Sequence, residues 1–123
     1  MNEIKYPEMR VELLAYLQGL SDPDYQRRVW VGGEMSNGVQ HDEFDYAVHF
    51  LYDDTKLADN PQSMIGWILR DAEEAEAIAL LIGLIEDVFE KHGVELSDAQ
   101  YISLPEWNSI VGAAKTAHEM LAK

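Results

Sequence analysis

The chain reads as an all-α protein, a single-domain helical bundle of about five to six helices over residues 1–123. Three observations carry that reading. Apolar residues recur at three- and four-residue spacing, a capping residue with a following proline restarts the chain repeatedly, and the connections between apolar segments span only a few residues.

The first helix runs from about Pro7 to Leu20, with Met9, Leu13, Leu14, Tyr16, Leu17 and Leu20 close to one stripe. Ser21-Asp22-Pro23-Asp24 then supplies a capping oxygen at Ser21, a proline at the first position and an acid in the first turn. The helix it opens carries Tyr25 to Trp30; Gly32-Gly33 stops it, and Ser36-Asn37-Gly38 extends the break into a loop. A third helix spans about Asp42 to Leu57 with Phe44, Ala47, Val48, Leu51 and Tyr52 inward. Asp59-Asn60-Pro61 opens a short helix through Met64, Ile65, Trp67 and Ile68.

The most strongly patterned helix is Ala72 to His92. Acids fill its first turn, Lys91 and His92 its last, and Gly93 stands just past its end. Ile78, Leu81, Ile82, Ile85 and Phe89 form one apolar face, widened by Leu80, Leu84 and Val88, as expected of a central helix. The last helix starts at Ser103-Leu104-Pro105-Glu106, where Ser103 and Glu106 have capping-box spacing. Val29-Trp30-Val31 and Tyr101-Ile102 are β-prone and able to pair as a minor hairpin-like element.

Charge sets the strongest constraint on partners. The chain holds 23 acidic and 9 basic residues, a formal net of −14 over 123 residues. The acids are spread through both halves, so they belong to the body of the fold. Such a surface repels nucleic acid and anionic lipid and attracts basic proteins. A hydrophobic content of 47% marks a folding chain, one long enough for a single core. The absence of cysteine excludes disulfides and thiolate metal sites and fits a reducing cytoplasm. The N-terminus has no signal-peptide apolar region. The longest apolar stretch, Ala77 to Ile85, falls far short of the about 20 residues a membrane helix needs.

No catalytic motif stands out: there is no HExxH, nucleophile elbow or glycine-rich phosphate loop. The sequence therefore points to a non-enzyme without a cofactor. His41, His49, His92 and His118 invite a metal reading, and His49 and Asp53 share one helix face beside Asp54. The expectation is structural, with Asp53 accepting hydrogen bonds at a helix end. Arg27 and Arg28 are the one paired basic site; they suit an anionic group, or internal ion pairs with Asp53, Asp54 or Asp71. The densest acidic stretch, Asp71 to Asp98, carries a net of −8 over 28 residues.

Several phrases together resemble a known family. They are Leu20-Ser21-Asp22-Pro23, Gln26-Arg27-Arg28-Val29-Trp30, Asp53-Asp54-Thr55, Asn60-Pro61, Ile65-Gly66, Ile68-Leu69-Arg70-Asp71 and Glu73-Glu74-Ala75. The chain from about Leu13 to Leu121 is similar to a family of small uncharacterised bacterial proteins, largely actinobacterial. The resemblance implies a helical fold and assigns no activity.

The reading that follows is an acidic cytoplasmic binding domain. Its expected role is that of an immunity or inhibitor protein neutralising a basic toxin or nuclease, through Glu73, Glu74, Glu76, Glu86, Asp87 and Glu90. The alternative is a small-ligand or metal protein with an interhelical pocket of Arg27, Arg28, His49, Asp53 and Asp54. A homodimeric adaptor using Trp30, Trp67 or Trp107 is the plainer option.

Overall fold

The structure, a computed structural model, describes residues 4–33 and 42–123. The expected loop at Ser36-Asn37-Gly38 and the candidate ligand His41 lie outside the described residues. What is described is helical, as the periodicity predicts, and the only β pairing there is an isolated bridge between Ile65 and Leu69.

Helix α1 (Pro7–Leu20) starts on proline and buries Leu13, Leu17 and Leu20. Helix α2 (Pro23–Tyr25) is one turn that runs on as a π-helical segment over Gln26–Val31. Its cap is Asp22 rather than Ser21: the Asp22 carboxylate accepts from the Tyr25 amide at 3.1 Å. The Ser21 hydroxyl instead donates to the Gln18 carbonyl and closes α1. The π segment turns Gln26, Val29 and Trp30 inward, so the expected β-prone Val29-Trp30-Val31 is helical. At its end the Gly32 amide reaches back to the Arg27 carbonyl at 3.0 Å. A Cβ on Gly32 would sit 2.7 Å from the Arg28 carbonyl oxygen, so only glycine fits.

Helix α3 (Phe44–His49) likewise widens into a π-helical segment over Phe50–Asp54. A π segment holds more residues per turn than an α-helix, which shifts the phase of the pattern. Phe50 therefore joins Phe44, Ala47 and Leu51 in the core, while Val48 and Tyr52 are only half-buried. Thr55 ends the segment, its hydroxyl donating to the Phe50 carbonyl at 2.9 Å and accepting from the Leu57 amide. After Asn60 the chain forms a 3₁₀ turn, Pro61–Met64, shorter than the helix expected there. Gly66, at φ +90°, breaks it, and Ile68 and Leu69 turn into the core.

Helix α4 (Ala72–His92) has the predicted bounds, with Asp71 as its cap and Gly93 past its end. It buries Ala75, Ile78, Leu81, Ile82, Ile85 and Val88 and packs chiefly on α6, which also carries α1. The end of the chain departs from expectation. Helix α5 (Asp98–Ile102) precedes the last helix, and the capping box belongs to Ser97 and Gln100. Ser103 closes α5, and α6 (Trp107–Leu121) begins four residues later than predicted. Leu104 precedes Pro105, which disfavours the helical region for it and delays the start.

Glu74 is the joint of this assembly. Its side chain is 2% exposed, and the Arg10 guanidinium grips both carboxylate oxygens at 2.8 Å. The Arg70 amide donates to one oxygen at 2.7 Å and its Nε to the other at 2.8 Å. Arg10 also donates to the Ile68 and Leu121 carbonyls, and Arg70 to those of Met120 and Lys123. Burial alone would raise the Glu74 carboxyl; the Arg10 and Arg70 donors outweigh it and hold the pKa below the usual range. A second polar joint is Gln26, fully buried. Its amide donates to the Gly19 and Leu20 carbonyls and accepts from the Trp107 indole at 2.9 Å.

Removing the acid from the first joint leaves two arginines partly buried with no anion. Glu74→Ala should cost about 3–5 kcal/mol of stability. Urea unfolding followed by circular dichroism would measure it, and a loss below about 1 kcal/mol would contradict this account.

Candidate acidic binding surface

The outer side of α4 carries Glu73, Glu76, Glu86, Asp87 and Glu90, all exposed. None of the five forms an ion pair among the described residues. They fall into two groups along the helix, separated by Leu80 and Gly83. Leu80 is 59% exposed, and a Cβ built on Gly83 meets nothing within 4 Å. Two acidic ends thus flank a shallow apolar middle. Glu86 lies at the edge of this face near α3's continuation: burial, and then the nearby Glu86 carboxylate, push the Tyr52 hydroxyl up to about 12.

Glu74, expected on this face, is not on it. It lies one step from Glu73 in sequence but in phase with Ile78, Leu81 and Ile85, so it points inward. That phase was the signal available in the sequence. Arg10 is likewise in phase with Leu13 and Leu17, and two opposite charges standing in two apolar stripes mark a buried pair.

The residues of the expected interhelical pocket are not brought into one site. Arg28 pairs with Asp24 at 2.9 Å and Arg27 approaches the same carboxylate at 3.9 Å, on exposed α2. Their acid is therefore Asp24, not Asp53, Asp54 or Asp71. His49 pairs with Asp53 at 2.8 Å, both side chains being over half exposed. The cavity beside Asp53 and Asp54 is lined by Tyr6, Met9, Lys56 and Met64, and by neither arginine nor His49. His92 contacts Glu106 at 3.0 Å, where Lys91 also pairs at 2.9 Å. Those two contacts pull the Glu106 carboxyl down to about 2. Among the described residues no three His, Asp or Glu side chains gather as a metal site. Trp30 and Trp107 are core residues, buried against each other at 6.2 Å, so neither offers a dimer surface. Trp67 is exposed, stacked on Tyr6 with Lys5 over its ring.

A cavity of about 490 Å³ went unrecognised in the sequence. It opens between α3, the end of the Gln26–Val31 segment, Phe89 of α4 and residues 94–101. Glu43, Asp45, Glu95 and Asp98 line it, over a cluster of Trp30, Phe44, Phe89 and Tyr101. Phe44 centres that cluster, with ring centroids 5.0–6.0 Å from Trp30, Phe89, Tyr101 and Trp107. Just outside, Asp42 accepts from the Tyr25 hydroxyl at 2.6 Å and the Trp30 indole at 3.1 Å. Asp98 caps α3 from across the fold, accepting the Phe44 amide at 3.1 Å. Burial raises the Asp98 carboxyl; the Phe44 amide opposes this, and Glu43, Asp45 and Asp42 add to the rise.

The fold and the composition define a class: an all-α domain with a formal net charge of −14. The family model described as "Domain of unknown function (DUF7945)" matches residues 4–123, and the chain belongs to that family. No curated protein and no solved structure matches it. No helix among the described residues is long and apolar enough to cross a membrane.

The raised Asp98 carboxyl yields a pH test with a definite sign. The folded state holds this proton more tightly than the unfolded chain does. Its stabilising contribution is therefore complete below the unfolded pKa of about 3.8 and is lost as pH rises through the folded value. Asp98→Asn keeps an acceptor for the Phe44 amide and removes the charge. Its urea midpoint should exceed that of the parent at pH 7, with the gain vanishing near pH 3; a lower midpoint at pH 7 would refute the assignment.

Proposed function

We propose that this chain is an acidic, cytoplasmic, non-catalytic binding domain that docks a basic protein, acting as an immunity or inhibitor protein toward a basic toxin or nuclease. The observation that supports it is the outer face of α4: five exposed carboxylates without ion partners among the described residues, arranged around Leu80 and Gly83. An inhibitor of a nucleic-acid enzyme must cover a surface shaped for phosphates, and clustered carboxylates present the matching sign of charge. An apolar centre with a charged rim is the usual anatomy of a protein interface. Helix capping accounts for acids in the first turn near Asp71, but not for Glu86, Asp87 and Glu90 at the opposite end, where the helix dipole disfavours them. The wider bacterial kinship suggested by the sequence phrases is compatible with such a role.

The test is capture from a bacterial lysate by the tagged chain, with low- and high-salt washes and mass spectrometry on each fraction. A basic protein retained near stoichiometrically at low salt and released by salt is expected. Replacing the five acids together (Glu73→Gln, Glu76→Gln, Glu86→Gln, Asp87→Asn, Glu90→Gln) should slow its association by roughly tenfold or more at low salt. Retention indifferent to salt and to these changes would end the proposal.

Gly83 gives an independent check. The fold leaves open space at its Cβ position, so Gly83→Ala should stabilise the free chain by about 0.5–1 kcal/mol. The same change should weaken partner capture if the partner's backbone approaches the helix there. Thermal unfolding and capture by the same variant measure both.

A further inference from the structure

Lys5 and Tyr6 lie in extended chain just before α1, and the contacts that hold them converge on two residues of the turn after the 3₁₀ segment. The Lys5 amide donates to the Gly66 carbonyl at 3.0 Å, and the Tyr6 amide to that of Trp67 at 2.8 Å. The Tyr6 ring stacks on Trp67 with centroids 5.6 Å apart, and the Lys5 ammonium stands 4.6 Å from the centre of the same indole. Lys5, Tyr6, Gly66 and Trp67 are all exposed. The base of the turn is set differently. Ile68 and Leu69 are buried, and Arg10 holds the Ile68 carbonyl at 2.9 Å.

The turn also closes on itself: the Gly66 amide donates to the Leu69 carbonyl at 2.7 Å, and the Ile68 and Leu69 amides reach the Met64 carbonyl at 3.0 Å. It therefore keeps its shape when Lys5 and Tyr6 leave it. Hydrogen bonds, a ring stack and a cation–π contact that water can reach are each weak. A segment held only by such contacts opens at a lower free energy than the core. That segment is also a wall. Tyr6 lines the cavity of about 280 Å³ beside residues 53–56, together with Met9 of α1, Met64 of the 3₁₀ turn and Ile68. Met9 and Met64 are half-buried, and Tyr6 is the one lining residue that stands on the extended segment. Lifting it bares both thioethers.

We infer that Lys5 and Tyr6 form a strap, latched on Trp67, which opens separately from the core and gates the cavity of Met9, Met64 and Ile68. This device stands without the docking reading of α4.

The experiment follows amide hydrogen exchange of the full chain under native conditions. The Lys5 and Tyr6 amides should exchange at least about a hundredfold faster than those of Leu81, Ile82 and Ile85 at the centre of α4. Trp67→Ala should speed exchange at Lys5 and Tyr6 by roughly tenfold and leave the α4 amides unchanged; Trp67→Phe, which keeps a ring for the stack, should lie between it and the parent. Tyr6→Leu, which keeps both backbone bonds and loses the stack, should also speed the strap amides. Strap amides that exchange together with the α4 centre, or that ignore all three substitutions, overturn the strap. The gate is read by dilute peroxide and peptide mass mapping. Sulfoxide should form several-fold faster at Met9 and Met64 in Trp67→Ala than in the parent, with Met120 of α6 as the unchanged reference. Equal rates at Met9 and Met64 in the two proteins, with the strap amides accelerated, overturn the gate.

Discussion

Four hydrogen bonds converge on the Glu74 carboxylate, one for each of its lone-pair directions, and they come from two arginines on different parts of the chain. The remaining guanidinium donors close carbonyls at Ile68, Met120, Leu121 and Lys123. Met120 and Leu121 belong to the end of α6, where orphan carbonyls need donors and glycine is not present to supply a C-cap, and Lys123 lies just past it. A buried carboxylate is tolerable only under such saturation. The placement of α1, the segment after Gly66, α4 and the end of α6 all follow from it. Because α4 is anchored at its first turn by this inward acid, its outward acids are set in fixed register toward solvent.

The opposite end is held by different chemistry. Gln26 joins the last carbonyls of α1 to the Trp107 indole, and Trp107 in turn abuts Trp30 and Phe44. The π-helical widening is what delivers Gln26 and Trp30 together to the interior. The amide saturates its partners without net charge, so this end needs no counter-ion. The cavity floor is the outer edge of that same aromatic cluster. Its carboxylates sit over a rigid, already packed surface.

Much of this was legible from spacing and composition. Helices α1 and α4 have apolar stripes at uninterrupted α-helical period, and their bounds agree with the structure to the residue. Legibility failed where the period changed. In Phe50–Asp54 the extra residue per turn brought Phe50 inward against an α-helical count. Near α5, Ser97 opens a short helix that the apolar spacing did not reveal, and the proline after Leu104 keeps Ser103 from opening α6. Among site residues, the exposed acids of α4 were readable as acids off the apolar stripe. The Arg27–His49 grouping failed because Asp24, four residues before Arg28, was a nearer acid than any distant one. The cavity was invisible because its walls are about 50 residues apart in sequence, joined by the Asp98 cap on Phe44.

The reach of Arg10 to Leu121 also bears on how the chain folds. That contact spans 111 residues, nearly the whole length and more than the 81 that separate Gln26 from Trp107. Helices can form within about a microsecond, but this closure must wait until both ends are brought together. The joining of α1 to α6 therefore belongs late in assembly. Until it is made, the first turn of α4 carries a carboxylate whose counter-charges have not arrived, so the two ends are committed in one cooperative step.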